Sequence, residues 1–287
     1  MDDDGIFTAE EAALVTELRI EGKNIKTLDG IEYFNNLVDL YCADNELKNI
    51  DLSSNIKLVR LDCSDNQLVQ LKLDSNTELV YCSCSRNPIT ELDLSFNTKL
   101  LTLAVNKCRL ESLDVRMLPN LRSLYCNYNE LTELDVNSCT KLAMVELGGN
   151  KIGIFAPQSP NLNNLQCTGN GMTALDVSGC PKLYNLVCDD NELEELNLSQ
   201  NLSLSGLVCS GNKLTVLDLS VPVKLHRLIC RGNLFTELDI RLNSEITLFD
   251  CTDNPYLGEI YVWADFDVAQ FLPEACKKPE GADFIIS

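Results

Sequence analysis

The stretch LYNLVCDDNELEELNLSQNLS, Leu183 to Ser203, decides the reading of this chain. Twenty-one residues later it returns as LSGLVCSGNKLTVLDLSVPVK (204–224), and twenty-one earlier it stands as LNNLQCTGNGMTALDVSGCPK (162–182). A fixed period of this length is the signature of a solenoid, in which one short unit stacks on the next.

Within a rung counted from its first Leu, apolar residues occupy places 1, 4, 6, 11, 14 and 16, and Asn stands at place 9. Places 4 and 6 are two apart, so both side chains point to one side of an extended strand, while places 3, 5 and 7 point to the other. Places 14 and 16, Leu196 and Leu198 here, repeat the alternation and predict a second, shorter strand. The Asn between them offers donors and an acceptor to a buried bend, where backbone groups need partners. A single rung cannot bury its own apolar edge; stacking closes the core. The expected fold is therefore an elongated coil of parallel strands.

Regular rungs begin at Leu37, Leu58, Leu79, Leu100, Leu121, Leu142, Leu162, Leu183, Leu204, Leu225 and Ile246. Residues 37–262 form this array, 1–36 an N-terminal cap with an atypical first rung, and 263–287 a C-terminal cap. Thr8 and Glu11 fit a capping box ahead of a short helix, and Ile31 and Phe34 continue an apolar spacing that predicts one helical turn. The rung from Leu142 is one residue short, and Pro157 and Pro160 are expected to break its second strand. Cys108 replaces the bend Asn of the fourth rung, which should soften it, because a thiol bonds weakly. Phe266, Phe271 and Leu272, with the sole Trp, Trp263, are expected on a helix that covers the open end of the core.

Nine of the fourteen cysteines, Cys42, Cys63, Cys84, Cys126, Cys167, Cys188, Cys209, Cys230 and Cys251, share place 6. Val105 and Leu147 fill that place elsewhere, which marks it as a buried apolar slot that Cys suits as a small hydrophobe. Stacked strands hold equivalent Cβ atoms about 4.8 Å apart, whereas a disulfide wants about 3.8 Å. A column of free thiols is expected.

The 287 residues carry a formal net charge of -20, a balance that repels nucleic acid and anionic membranes. No apolar run approaches the ~20 residues of a membrane helix. Asp2, Asp3 and Asp4 follow Met1 at once, so the start does not read as a secretory signal. Nor do the residues assemble a catalytic constellation. His226 stands alone as the single histidine. Cys82 and Cys84 fall at inward places, where packing explains them better than zinc. No enzyme activity and no organic cofactor are expected.

Four candidate features remain. Asp2, Asp4, the carbonyl of Ile6 and Glu11 match later places of a calcium loop, and the same stretch also reads as an acidic helix start. Asp51, Asp93, Asp114, Asp135, Asp176, Asp218 and Asp239 make an outward column, either a cation binder or a solvated edge that blocks aggregation. On the outward strand places, Tyr81, Tyr125 and Tyr128 surround small residues, a surface that suits a protein side chain or a sugar face, with Tyr41 and Arg60 nearby. Further along, Val187, Val208 and Ile229 lie on adjacent strands, with Leu248 close by and a gap expected beside Gly206. A contiguous exposed apolar patch of this kind marks contact surfaces.

The rung LxxLxCxxNxLxxLDLS resembles bacterial leucine-rich repeats, and its period and cysteine column look most like the internalin J type. The entrance, DDGIFTAEEA and then LDGIEYFNNL, is similar to that of secreted bacterial repeat proteins. The resemblance implies an α/β-type repeat solenoid, a right-handed leucine-rich-repeat horseshoe. Its parallel β-sheet would form the concave face and short extended segments the convex one. It also implies a secreted or cell-surface, adhesin-like module that binds protein without catalysis. Carbohydrate binding and a role as a structural spacer are the alternatives.

Overall fold

A computed structural model of the chain describes residues 8–272 and 274–286. Two compact units divide it at Leu142 and Ala143. In the first unit, Ala9–Ala12 forms a short helix. Thr8 Oγ1 accepts from the Glu11 N–H at 3.2 Å, and the Glu11 carboxylate accepts from the Thr8 N–H at 2.9 Å, which completes the expected capping box. The helical turn expected near Ile31 is a 3-10 helix, Ile31–Tyr33. Glu17–Arg19, Asp39–Tyr41, Arg60–Asp62, Tyr81–Ser83, Thr102–Ala104 and Ser123–Tyr125 then pair as parallel strands. Each is three residues long and, in the regular rungs, spans places 3 to 5. In the regular rungs the middle residue is buried while its neighbours face outward, as the alternation at places 4 and 6 requires.

The second unit repeats this with Met144–Glu146, Asn164–Gln166, Asn185–Val187, Gly206–Val208, Arg227–Ile229 and Leu248–Asp250. Register is kept at every described step: Leu165 pairs Leu186, Leu186 pairs Leu207, and Leu207 pairs Leu228. Inward Leu183, Leu186, Cys188 and Leu193 are fully buried, as are Val105 and Leu147 in the place that cysteine holds elsewhere. All fourteen cysteines are free thiols; thirteen are buried and Cys276 is half-buried.

Buried amides hold the rungs together. The Nδ2 of Asn191 donates to the carbonyls of Cys167, Cys188 and Asp189, and its Oδ1 accepts from the Met172 N–H at 3.0 Å. Asn66, Asn87, Asn212 and Asn233 repeat the pattern. Where Cys108 replaces this Asn, its Sγ lies 3.5 Å from the Cys84 carbonyl, so the thiol takes the donor's place. The next residue before the Asn, place 8, is left-handed in every regular rung. Asp44, Asp65, Arg86, Lys107, Tyr128, Asp190 and Asp253 have φ of 52–60°, and Gly149, Gly169, Gly211 and Gly232 fill the rest.

Two expectations are corrected. Most rungs lack a paired second strand: the segments at places 14 and 16 bury their side chains but run as extended backbone without a ladder. Paired ones occur at Ile154–Phe155 with Ala174–Leu175, and at Glu237–Asp239, Glu259–Val262 and Asp283–Ile286. The proline-bearing rung is thus among those that keep its strand, because the strand ends at Phe155 and both prolines follow it. Among its described residues the tail, in turn, holds no helix beyond the short 3-10 turn Val268–Gln270. It instead adds one strand to each side of the last rung, Cys276–Lys277 beside Leu248–Asp250 and Asp283–Ile286 beside Glu259–Val262. Pairing satisfies end-strand backbone groups that a helix laid across them would leave open. Phe266 anchors the closure, its ring centroid 4.9 Å from Trp263 and 4.7 Å from Phe284.

Candidate functional site

In the first unit, the outward face carries alternating charge and aromatic groups. The Arg19 guanidinium lies 4.1 Å over the Tyr41 ring, a cation–π contact, and Arg60 approaches Asp39 at 3.4 Å. Tyr81 is half-buried, and burial pushes its phenol above its usual range. Tyr125 sits two strands from Tyr81, and between their strands Ala104 leaves the floor low. Tyr128 lies three residues after Tyr125. It stands at the left-handed place beyond its strand, 62 % exposed, and lines a groove of about 280 Å³ with Ser64, Asp65, Ser83, Ser85, Arg86, Asn106, Lys107 and Asn127.

In the second unit, Val187, Val208 and Ile229 share one register level on adjacent strands. The expectation of a contiguous exposed patch is corrected at its centre: Val208 is only 5 % exposed, and stands between Val187 and Ile229 on the neighbouring strands. Leu248 pairs with Arg227 instead, two places earlier than the Ile229 level. The gap expected beside Gly206 is also corrected. The Asn185 side chain fills it, and a Cβ on Gly206 would meet Asn185 Oδ1 at 2.6 Å. Beyond Val208 and Ile229 a groove of about 420 Å³ is walled by Asp189, Asp190, Arg231 and Asp253. Arg231 is held by Asp253 at 2.8 Å. Burial raises the Asp189 carboxyl above its usual range, and the Ser210 N–H donating to it at 2.7 Å opposes that.

Solved structures of known proteins share this geometry. The functional domain of InlJ from Listeria monocytogenes, which includes a cysteine ladder, is similar at 26% identity and TM-score 0.52, over 92% of this chain and 72% of that one. An internalin (inlF) from Listeria monocytogenes aligns at 20% identity and TM-score 0.66, over 97% and 89%. The ectodomain of the plant receptor kinase GASSHO1/SCHENGEN3 from Arabidopsis thaliana, in complex with Casparian strip integrity factor 2, aligns at 16% and 0.66, over 98% and 43%. No family model matches the chain, and no curated protein does. The chain has the leucine-rich-repeat fold. Its likeness to inlF and to the plant ectodomain is one of fold.

Three features of this leucine-rich-repeat chain bear on chemistry. Ser205 Oγ lies 3.1 Å from His226 Nδ1, and His226 Nε2 lies 3.5 Å from a Glu245 carboxylate oxygen. The order resembles a nucleophile, base and orienting acid, but the same Nδ1 lies 2.9 Å from the Lys224 carbonyl. A carbonyl only accepts, so the Lys224 contact favours the tautomer with its hydrogen on Nδ1, which has no lone pair there to take a proton from Ser205. In the acidic column, the carboxylates of Asp51, Asp93, Asp114, Asp135, Asp176, Asp218 and Asp239 each accept from the N–H two residues on. They cap a local bend, a role the sequence reading missed although the LDxS spacing of an Asx turn signals it. Of the candidate calcium ligands, Asp2, Asp4 and Ile6 lie outside the described residues, and the Glu11 carboxylate serves the helix cap. Among the described residues no group of His, Cys, Asp and Glu is arranged to hold a metal, and no helix is long and apolar enough to cross a membrane.

Sequence reading also missed Arg86 and Lys107, which hold place 8 in the two rungs before Tyr128. The signal was present: that place is Gly or Asp in the other regular rungs, and departs to Arg, Lys and Tyr in three consecutive ones.

Proposed function

We propose that this chain is a non-catalytic recognition module that binds a protein partner through the outward face of its parallel strands, at a bacterial surface or after secretion. One observation carries the reading. Val187 and Ile229 flank the buried Val208 at one register level, and the charged rim of Asp189, Arg231 and Asp253 lies beside them. An apolar centre with a polar border is how protein contact surfaces are built. The plant ectodomain of the same fold, solved in complex with its factor, supports the reading by analogy of fold. The similarity to InlJ and inlF supports a place outside the cell.

Affinity capture from host-cell and bacterial extracts tests it, with Val187→Glu and Ile229→Glu as paired controls. Both residues are half-buried, so a charge is tolerated by the fold but not by a dry contact. A captured protein should lose at least about tenfold in affinity to both variants, more than 1.4 kcal/mol. Binding unchanged in both would reject this face.

A further inference from the structure

We propose that the groove of the first unit, beside Arg86, Lys107 and Tyr128, binds a carboxylated sugar. The site is separate from the protein-binding face of the second unit and does not rest on that reading.

The backbone at place 8 is left-handed in every regular rung, a region that side chains other than Asn and Asp avoid. The second unit accordingly uses Gly149, Gly169, Gly211 and Gly232, with Asp190 and Asp253. The first unit begins the same way with Asp44 and Asp65, and then sets three large side chains there: Arg86 at φ 56°, Lys107 at 53° and Tyr128 at 57°. The bend itself does not require them, since glycine and aspartate serve it elsewhere, although Arg86 and Lys107 also reach Asp65 and Tyr128 of neighbouring rungs. An unfavourable backbone state kept on three successive rungs points to what the side chains do.

What they do is read from the groove. Its floor is polar: the Asn106 N–H donates to Ser85 Oγ at 3.1 Å, and Asn106 Oδ1 accepts from Asn127 N and Nδ2 at 2.9 and 3.0 Å. The row thus presents hydroxyl and amide groups side by side, spaced by adjacent rungs, as the hydroxyls of a pyranose require. Tyr128 adds an exposed ring, which suits the C–H face of a sugar. Arg86 is neutralised by Asp65 at 3.2 Å. Lys107 is not: among the described residues it forms no salt bridge, and its Nζ lies 5.3 Å from the Tyr128 ring centroid. In a chain of net charge -20, an ammonium without a carboxylate beside a polar groove is where an anionic ligand gains most. A volume of about 280 Å³ lies at the small end of ligand sites and fits a terminal sugar unit better than a folded partner. The sugar acid supplies all three complements at once: carboxylate for Lys107, hydroxyls for Ser85 and Asn106, ring face for Tyr128.

Saturation-transfer NMR and calorimetry on the whole chain test this with digalacturonate and 3'-sialyllactose as acidic probes, lactose as the neutral one and inorganic phosphate as the bare anion. Binding of either acidic sugar is expected, and which of the two binds tells uronate from sialate. Lactose and phosphate should bind at least tenfold more weakly. Lys107→Asn and Tyr128→Asn, which suit the left-handed backbone and keep the fold, should each weaken the acidic sugar at least tenfold. No binding of either acidic sugar at millimolar concentration overturns the proposal. Equal binding of lactose or phosphate, or affinity unchanged in both variants with native circular dichroism, does the same.

Discussion

The Nδ2 of Asn212 donates to the carbonyl of Cys188, twenty-four residues back along the chain, at 3.1 Å. The same amide donates to Cys209 and Ser210 in its own rung, and its Oδ1 accepts from the Leu193 N–H at 3.1 Å. One side chain therefore serves backbone groups of two rungs that the bend would otherwise bury unpaired. Asn212→Ala should cost about 3 kcal/mol or more, because several buried groups lose partners at once and each orphan costs about 1–3 kcal/mol. Urea denaturation measures the loss, and hydrogen exchange should show the Leu193 amide among the first to lose protection. A loss below about 1 kcal/mol would mean that the bend finds other partners.

The left-handed place gives a reciprocal pair. Lys107→Asn should raise stability by up to about 1 kcal/mol, because asparagine tolerates this backbone better than lysine does. Gly211→Ala should lower it by about 1–2 kcal/mol. Its added Cβ would also come within 2.5 Å of Asp190 Oδ1. Thermal unfolding of both variants checks the signs. If Lys107→Asn weakens sugar binding while raising the melting temperature, the residue is held for its ligand and not for the fold.

The thiols of the place-6 column should be chemically quiet in the folded chain. Burial pushes Cys42 and Cys167 up to about 12, and Cys188, Cys209 and Cys230 also rise, so little thiolate forms near neutrality. A thiol reagent at pH 8 should titrate no more than about one group per native chain, Cys276 being the half-buried one, and all fourteen after denaturation. Rapid labelling of several thiols in the native state would show that the rungs open.

Acid should loosen the bends that the aspartates cap. The Arg116 side chain and backbone N–H hold Asp114 down at about 2, and the Ser53, Ser95, Ser178 and Ser220 groups likewise lower Asp51, Asp93, Asp176 and Asp218. A lowered folded pKa means stability that is full above the unfolded value of about 3.9 and lost as pH falls through the folded value. The melting temperature should hold from neutrality to about pH 4 and then drop toward pH 2. Replacing Asp93, Asp176 and Asp218 together by Asn keeps the accepting oxygen, as Asn197 does naturally for the Ser199 N–H, and should flatten that drop. An unchanged acid profile would remove these carboxylates from the account of acid stability.

Much of this was legible in the sequence. The inward places followed from spacing two apart, the bend amide from its recurrence, and the cysteine slot from Val105 and Leu147. The burial of Val208 was not legible, because it depends on what flanks it at the same level on both neighbouring strands. Gly206 misled for the same reason: the space it opens is taken by Asn185 of the adjacent rung. Paired second strands could not be told from unpaired extended backbone, since both bury alternate side chains. A second buried amide column was legible and overlooked. Asn55, Asn76, Asn97, Asn201 and Asn243 recur at place 19 and donate to carbonyls of the preceding rung. Cys139 and Cys180 stand in for them, each Sγ 3.3 Å from a carbonyl.

Both proposed surfaces depend on equivalent places standing in columns, one rung above the next. Sulfur anomalous diffraction from a crystal of the chain locates the cysteine sulfurs without reference to any assumed fold. Within each unit the place-6 sulfurs should lie inside in a row, about 4.8 Å between adjacent rungs and about twice that across Val105. Sulfurs paired at about 2 Å as disulfides, or scattered without a common line, would contradict the columns and with them both proposed binding surfaces.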